Sequence, residues 1–256
     1  MKNIRRVFIS ILMLMMALCC AAQAASGVIQ FVGTGSSGSN GGFVETPQEE
    51  SAASGELVIP SATLSPEVAA LPWNLVLVNS THPVPDSWNP ELMELSNGRK
   101  IDVRIYEDLQ AMFDDCRAEG LTPKVNQGYR TYEDQKEMLM VKYRQFKNQG
   151  ISHEDAQIKA LTVASYPGYS EHQLGIAVDI NSANQEKCSN DRVWKWMKEH
   201  CQEYGFIWRY PGVKSSITGI SNEDWHFRYV GKEAAKYIME NQLCLEEYLA
   251  QQYAIQ

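Results

Sequence analysis

The chain has 256 residues, a formal net charge of −8 and 44% hydrophobic residues, which is enough for one domain with a hydrophobic core. Its acidic balance makes nucleic acid an unsuitable partner, because affinity for nucleic acid comes largely from Lys and Arg contacts to phosphate. The same balance offers no polybasic patch to an anionic membrane surface. No stable protein partner is implied.

The first 24 residues have the pattern of a secretory signal peptide. Three basic residues precede an apolar run at 7–20, and the sequence AQA at 22–24 places small residues before a cleavage point. We predict cleavage after Ala24 and a secreted or extracytoplasmic protein. An uncleaved membrane anchor is the alternative, although the run is shorter than the roughly 20 residues that span a bilayer.

Residues 25–65 are rich in Gly, Ser, Glu and Pro, most of all in the segment GTGSSGSNGG at 33–42. Such a composition buries too little apolar surface to offset the entropy of ordering, so we predict a flexible linker. The folded domain is then expected over residues 66–256.

Four cysteines follow the predicted signal peptide, namely Cys116, Cys188, Cys201 and Cys244. An even number in an exported chain suggests two disulfides with three possible pairings. If residues 190–203 form one helix, Cys188 lies before it and Cys201 near its end, too far apart along the helix axis to be bridged. Reduced, buried cysteines are the alternative.

Periodicity and capping signals predict a series of helices and strands. We expect helices at 101–119, 132–148, 152–164, 190–203 and 232–242. We expect strands at 73–79, 175–180 and 224–230. Helices and strands do not alternate strictly, and the late strands are expected to be antiparallel. The predicted class is α+β, with a small antiparallel sheet flanked by several helices.

Two late segments, GYSEHQLGIAVDI at 168–180 and EDWHFRY at 223–229, carry candidate metal ligands. In a strand of period two, Asp179 lies opposite the branched aliphatic face, and His172 lies just before the strand. An adjacent antiparallel strand would bring His226 beside Asp179. Two imidazoles and one carboxylate are the ligand count of a catalytic zinc site, and Glu223 would serve as its general base.

Each of these residues also has an ordinary structural interpretation. A histidine among aromatic residues is often a packed, hydrogen-bonded side chain. Asp179 would also suit a turn at the end of a strand, and Glu223 would suit a solvated loop. The residues alone make a metal site plausible and leave it open.

The order of these motifs resembles the VanY-type zinc D-Ala-D-Ala carboxypeptidases, a family that trims peptidoglycan. The resemblance rests on Ser170-x-His172-x6-Asp179 and Glu223-x-x-His226, supported by segments at 73–85, 128–135 and 204–211, and covers about residues 70–250. It departs from the family at three positions, where this chain has Gln127, Trp208 and Asp224.

The resemblance implies a hedgehog/D-Ala-D-Ala peptidase-like fold and a Zn²⁺ cofactor. The predicted linker separately favours a protein located at the cell wall or the outer face of the membrane. The residue roles that the resemblance implies are zinc binding by His172, Asp179 and His226, general base catalysis by Glu223, charge stabilisation by Arg130, and substrate contact by Ser170, Gln135 and Tyr129. A guanidinium suits either the developing oxyanion or the terminal carboxylate of a peptide.

The implied reaction is hydrolysis of the terminal D-Ala from a peptidoglycan stem peptide. One alternative is an L,D-carboxypeptidase that acts on tetrapeptide stems. Another is a non-catalytic zinc-bearing binding module, against which Glu223 argues, because a binder needs no base beside the metal. A serine hydrolase is disfavoured, because Ser170 lies outside any G-x-S-x-G motif.

Overall fold

A four-stranded antiparallel sheet lies at the centre of the protein, in a computed structural model that describes residues 70–255. The strands in chain order are β1 (Leu92–Glu94), β2 (Lys100–Asp102), β3 (Pro123–Gln127), β4 (Ala177–Ser182), β5 (Phe206–Tyr210) and β6 (Glu223–Tyr229). β1 and β2 form a separate hairpin, and the others pair in the order β3–β4–β6–β5. The predicted α+β class is confirmed.

Seven helices of the described residues surround the sheet. They are α1 (Tyr106–Ala118), α2 (Tyr132–Lys147), α3 (His153–Leu161), α4 (Asn190–His200), α5 (Ser215–Thr218), α6 (Lys232–Glu240) and α7 (Leu245–Tyr253). The predicted capping box begins α2, where the Thr131 hydroxyl accepts from the Asp134 amide and the Asp134 carboxylate accepts from the Thr131 amide. α3 ends at Leu161, earlier than predicted, and the amide and hydroxyl of Thr162 both donate to the carbonyl of Lys159 in its last turn.

The predicted strand at 73–79 is wrong. Trp73–Leu75 form one 3-10 turn, and beyond it the backbone of Asn79 forms an isolated β-bridge with His82. The Arg228 guanidinium donates hydrogen bonds to the backbone carbonyls of Asn74 and Val76. These carbonyls therefore do not pair with the backbone amides of a neighbouring strand. Sequence analysis also missed β1, β2, β3, β5, α5 and α7.

The alternation predicted for 175–180 is confirmed in β4. Ile176, Val178 and Ile180 are fully buried in the main core, which α1 and α4 complete. A second apolar cluster packs α6 and α7 against Ile207 and Val230. This two-sided packing leaves Asp179 on the face of β4 that points away from the main core.

Gly128 follows β3 at the point where the β1–β2 hairpin crosses it. A β-carbon at Gly128 would run into the carbonyl of Lys100, so no larger residue fits without moving the hairpin. The same carbonyl accepts a hydrogen bond from the Tyr129 amide at 2.7 Å. The close approach therefore fixes the segment that leads into Arg130.

All four cysteines of residues 70–255 are buried free thiols, so the expectation of two disulfides is not met there. Burial raises the pKa of Cys116 and of Cys201 to about 12. No helix in the same range is long and apolar enough to cross a membrane. The predicted signal peptide at 1–24 and linker at 25–65 lie outside the described residues.

Candidate active site

Two adjacent strands bring the predicted metal ligands together. β4 pairs with β6 in the register that sets Asp179 opposite His226, and His172 lies in the 3-10 turn Glu171–Leu174 just before β4. One nitrogen of each histidine and one carboxylate oxygen of Asp179 lie within 4.8 Å of one another, and all three residues are buried. The donors converge as binding to a single metal ion requires.

The outer hydrogen bonds of the two histidines select which nitrogen faces the ligand cluster. His172 Nδ1 lies 2.8 Å from the carbonyl oxygen of Gly128, which leaves Nε2 to face Asp179 Oδ1 at 3.4 Å. His226 is turned the other way, with Nε2 at 3.2 Å from Glu171 Oε2 and Nδ1 at 3.1 Å from Asp179 Oδ1. Metal-binding histidines normally have such outer partners, so this donor set fits zinc.

Glu171, which the sequence analysis missed, is the centre of a buried ionic network behind His226. Its Oε1 accepts hydrogen bonds from Arg209 Nε at 2.8 Å and from Arg228 Nη1 at 3.0 Å. Arg209 also donates twice to Glu246 of α7, at 2.7 and 2.8 Å. Burial alone would raise the pKa of Glu171, but the charges of Arg209 and Arg228 hold it well below its ordinary value. Glu171 therefore stays ionised behind the ligand.

The proposed base, Glu223, is the first residue of β6 and lines the same cavity as the metal ligands. Its carboxylate lies 3.8 Å from His226 Nδ1. Burial raises the pKa of Glu223 to about 7, against the lowering effect of charge on His226. A carboxylate with this pKa accepts and returns a proton near neutral pH.

Arg130 reaches into the cavity from the loop before α2. Its Nη2 lies 3.4 Å from Asp179 Oδ2, and its Nη1 donates to Gln135 Oε1 at 3.1 Å. Gln135 is itself fixed, since its amide nitrogen donates to the carbonyl of Ser165 at 2.8 Å. The Nε of Arg130 is buried and has no hydrogen-bond partner within residues 70–255.

The predicted substrate contacts are placed unequally. Ser170 and Gln135 line the cavity of about 250 Å³ that holds the metal ligands, whereas Tyr129 is not among its lining residues. A larger cavity of about 590 Å³ lies between the β1–β2 hairpin and α1, and none of the predicted site residues lines it. We assign the chemistry to the smaller cavity, because the ionisable groups converge there.

The environments of the two histidines shift their pKa values in opposite directions. Burial and the charge of Arg130 lower the pKa of His172 to about 4. Burial would also lower the pKa of His226, but its hydrogen bonds to Asp179 and Glu171 raise it to about 9. Burial would raise the pKa of Asp179, yet His172 and His226 hold it well below its ordinary value. The cavity therefore keeps its carboxylate ligand ionised, as metal binding requires.

Comparisons with known proteins agree with this geometry. A D-alanyl-D-alanine carboxypeptidase of Enterococcus faecalis is 44% identical over 212 residues, which are 83% of this chain and 75% of the relative. The solved structure of VanYB in complex with D-Alanine-D-Alanine matches with a TM-score of 0.69 and 47% identity, over 71% of this chain and 99% of that one. A mutant of the vancomycin resistance D,D-pentapeptidase VanY in complex with Zn(II) matches with a TM-score of 0.68 and 48% identity, over 70% and 99%.

The mixed α/β fold and its cavity of two histidines and an aspartate define a zinc-dependent carboxypeptidase. The family model described as "VanY: D-alanyl-D-alanine carboxypeptidase" matches residues 98–232. The chain therefore belongs to the VanY D-alanyl-D-alanine carboxypeptidase family, as its sequence motifs predicted.

Proposed function

We propose that this chain removes the terminal D-alanine from peptidoglycan stem peptides that end in D-Ala-D-Ala. The observation that carries the proposal is the convergence of His172, Asp179 and His226 with Glu223 in one cavity. The complex of VanYB with D-Alanine-D-Alanine supports this substrate and favours it over the terminal bond of a tetrapeptide stem.

In this proposal His172 Nε2, His226 Nδ1 and a carboxylate oxygen of Asp179 hold the zinc ion. Zinc, when bound, supplies a Lewis acid that makes water a better nucleophile and draws electron density from the scissile carbonyl. The protein's own contribution is to fix the ligands from behind, through the Gly128 carbonyl and Glu171.

Glu223 moves the protons of the reaction. Its carboxylate accepts a proton from the attacking water and returns it to the amine of the leaving D-alanine. Its pKa of about 7 suits both transfers at neutral pH. A non-catalytic binding module would have no use for a buried carboxylate at this position.

Arg130 stabilises negative charge on the substrate. Its guanidinium is oriented by Gln135, which accepts from Nη1, and by Asp179, which lies 3.4 Å from Nη2. Such donors stabilise the oxyanion that develops on the carbonyl or pair with the terminal carboxylate. Ser170 lines the same cavity and offers a hydroxyl to the peptide.

The test is D-alanine release from matched tripeptide, tetrapeptide and pentapeptide stems, each with and without a zinc chelator. We expect release from the pentapeptide, loss of release on chelation, and recovery on addition of zinc. Preference for the tetrapeptide would identify an L,D-carboxypeptidase instead of a D,D-carboxypeptidase. Absence of D-alanine release from every stem by the zinc-loaded protein would overturn the proposal.

We further propose that the protein acts outside the cytoplasm after cleavage at Ala24. The support is the basic, apolar and small-residue pattern of residues 1–24. Cell fractionation and N-terminal sequencing test it. A mature chain that begins at Ala25 supports export with cleavage, and an intact N-terminus in the cytoplasm contradicts it.

A further inference from the structure

The carboxylate of Glu223 is held by few direct contacts. One carboxylate oxygen lies 3.8 Å from His226 Nδ1, beyond hydrogen-bond distance, and within residues 70–255 the carboxylate accepts no hydrogen bond. The ladder between β5 and β6 is also irregular there, with a register shift between Trp208 and Tyr210. The position of the carboxylate therefore depends on how its backbone is anchored.

Trp208 of β5 provides one anchor. Its indole Nε1 donates a hydrogen bond of 2.9 Å to the carbonyl oxygen of Glu223. The ammonium of Lys198, from α4, lies 4.0 Å from the centre of the same indole ring. Lys198 also forms an ion pair with Asp224, the residue after Glu223. Lys198 therefore contacts both the Trp208 indole and Asp224, the residue that follows the base.

The residue before Glu223 is anchored as well. Asn222 Nδ2 donates to Asp224 Oδ1 at 3.0 Å, and its side-chain oxygen accepts from the amide of Gly212, also at 3.0 Å. Residues 222, 223 and 224 are thus each held by a contact outside the regular strand ladder. The Lys198 and Asp224 side chains are 26% and 33% exposed, so the ion pair is partly shielded from solvent.

We propose that Trp208, Lys198 and Asp224 form a brace that positions Glu223 for proton transfer. None of the three lines the metal cavity, so they act through Glu223 rather than on the substrate. The inference rests on the proposed function, in which Glu223 is the base.

The test begins with Trp208→Phe, which removes the indole donor and keeps an aromatic ring beneath Lys198. With a D-Ala-D-Ala pentapeptide and the zinc-loaded full chain, we expect kcat to fall about tenfold while KM stays within about twofold. A misplacement of 1 Å costs as much as about 100-fold, so tenfold corresponds to a smaller shift of the base. Zinc content should not change.

The matched control is Trp196→Phe. Trp196 also carries a buried indole N–H, but within residues 70–255 that N–H has no partner and the residue lies outside the metal cavity. Its removal should leave kcat and KM at the wild-type values. A fall equal to that of Trp208→Phe would show that loss of any indole has the same effect, and would overturn the proposal.

A double-mutant cycle with Glu223→Gln separates positioning from general stability. If the brace acts through Glu223, Trp208→Phe adds no further loss to the residual activity of Glu223→Gln. An equal loss in both backgrounds would overturn the proposal. Asp224→Asn tests the brace at the Lys198–Asp224 ion pair, and we expect kcat to fall about threefold. A wild-type kcat in both Trp208→Phe and Asp224→Asn would also overturn the proposal.

The same experiment separates the two proposals. Wild-type protein that binds zinc and releases no D-alanine overturns the proposed function and the brace with it. Wild-type turnover with no effect of Trp208→Phe overturns the brace alone. Thermal melting of each variant checks that the compared proteins are folded.

Discussion

The two sides of the His226 ring are built in opposite ways. Behind it, Nε2 lies beside Glu171 Oε2, and Glu171 Oε1 accepts hydrogen bonds from Arg209 and Arg228. Glu246 accepts two further hydrogen bonds from Arg209. In front of it, Nδ1 faces Asp179 and Glu223, and the carboxylate of Glu223 accepts no hydrogen bond among the described residues.

This contrast shows how one residue serves two purposes. The side toward Glu171 fixes the ring, because a buried charge held by several hydrogen bonds has one favoured arrangement. The side toward Glu223 keeps donors and acceptors free for a metal, a water molecule and a peptide. Substitutions on the Nδ1 side of the His226 ring should therefore change turnover. Substitutions on the Nε2 side should change metal affinity and the stability of the fold.

The largest expected effect is at the front, from Glu223→Gln. The amide keeps the shape of the side chain and loses the base, so turnover should fall by about 10²–10⁴-fold. D-alanine release and zinc analysis measure the two consequences. Zinc content should equal that of the wild type, and a zinc-free variant would mean that Glu223 belongs with the ligands.

Arg130 gives the next effect. Arg130→Ala removes a charged donor from the reacting centre, and turnover should fall by about 10²–10³-fold. Arg130→Lys is the matched variant, since it keeps the charge and loses the planar fork of donors. We expect it to recover only part of the loss in steady-state assays. Full recovery would show that charge alone is sufficient.

Behind the ring, Glu171→Gln should weaken zinc binding by about 10–100-fold, because it removes the ionised outer partner of His226. Competition with a chromophoric chelator measures the zinc Kd. Glu199→Gln is a surface control, because among residues 70–255 the only ion pair of the Glu199 carboxylate is an exposed contact of 3.9 Å with Lys195. Equal zinc affinities for wild type and Glu171→Gln would contradict the outer-partner role.

The smallest effect is expected at the far end of the network. Glu246→Gln removes one carboxylate of the buried Arg209 pair, and the free energy of unfolding should fall by about 1.5–3 kcal/mol. Denaturant titration measures it. Activity of the zinc-loaded variant should stay near the wild-type level, and a large loss of turnover would show that α7 acts on the front of the ring.

The effect of Glu246 should depend on pH. Burial would raise its pKa, but the Arg209 charge lowers it below the ordinary value of 4.5. A lowered folded-state pKa stabilises the fold fully above pH 4.5, and that stability is lost as the pH falls through the folded-state pKa. The difference in unfolding free energy between wild type and Glu246→Gln should therefore shrink in acid. A constant difference would contradict the ion-pair interpretation.

The sequence was most informative where one short-range pattern carried the answer. The alternation around Asp179, with His226 on the neighbouring strand, predicted the ligand cluster. Glu171 was missed, because a glutamate in a loop has no local mark of burial, and its arginine partners come from distant strands. The strand at 73–79 was wrong for a related reason, since Arg228 takes the carbonyls that a neighbouring strand would have used.

Gly128 combines a packing constraint and a site constraint in one residue. Any side chain there would collide with the carbonyl of Lys100, and its own carbonyl sets the orientation of His172. A substitution that moves the hairpin would also withdraw the group that orients a ligand. Position 128 therefore tolerates substitution poorly, both for packing and for the orientation of His172. Directed evolution for greater stability should keep this glycine and vary its neighbours.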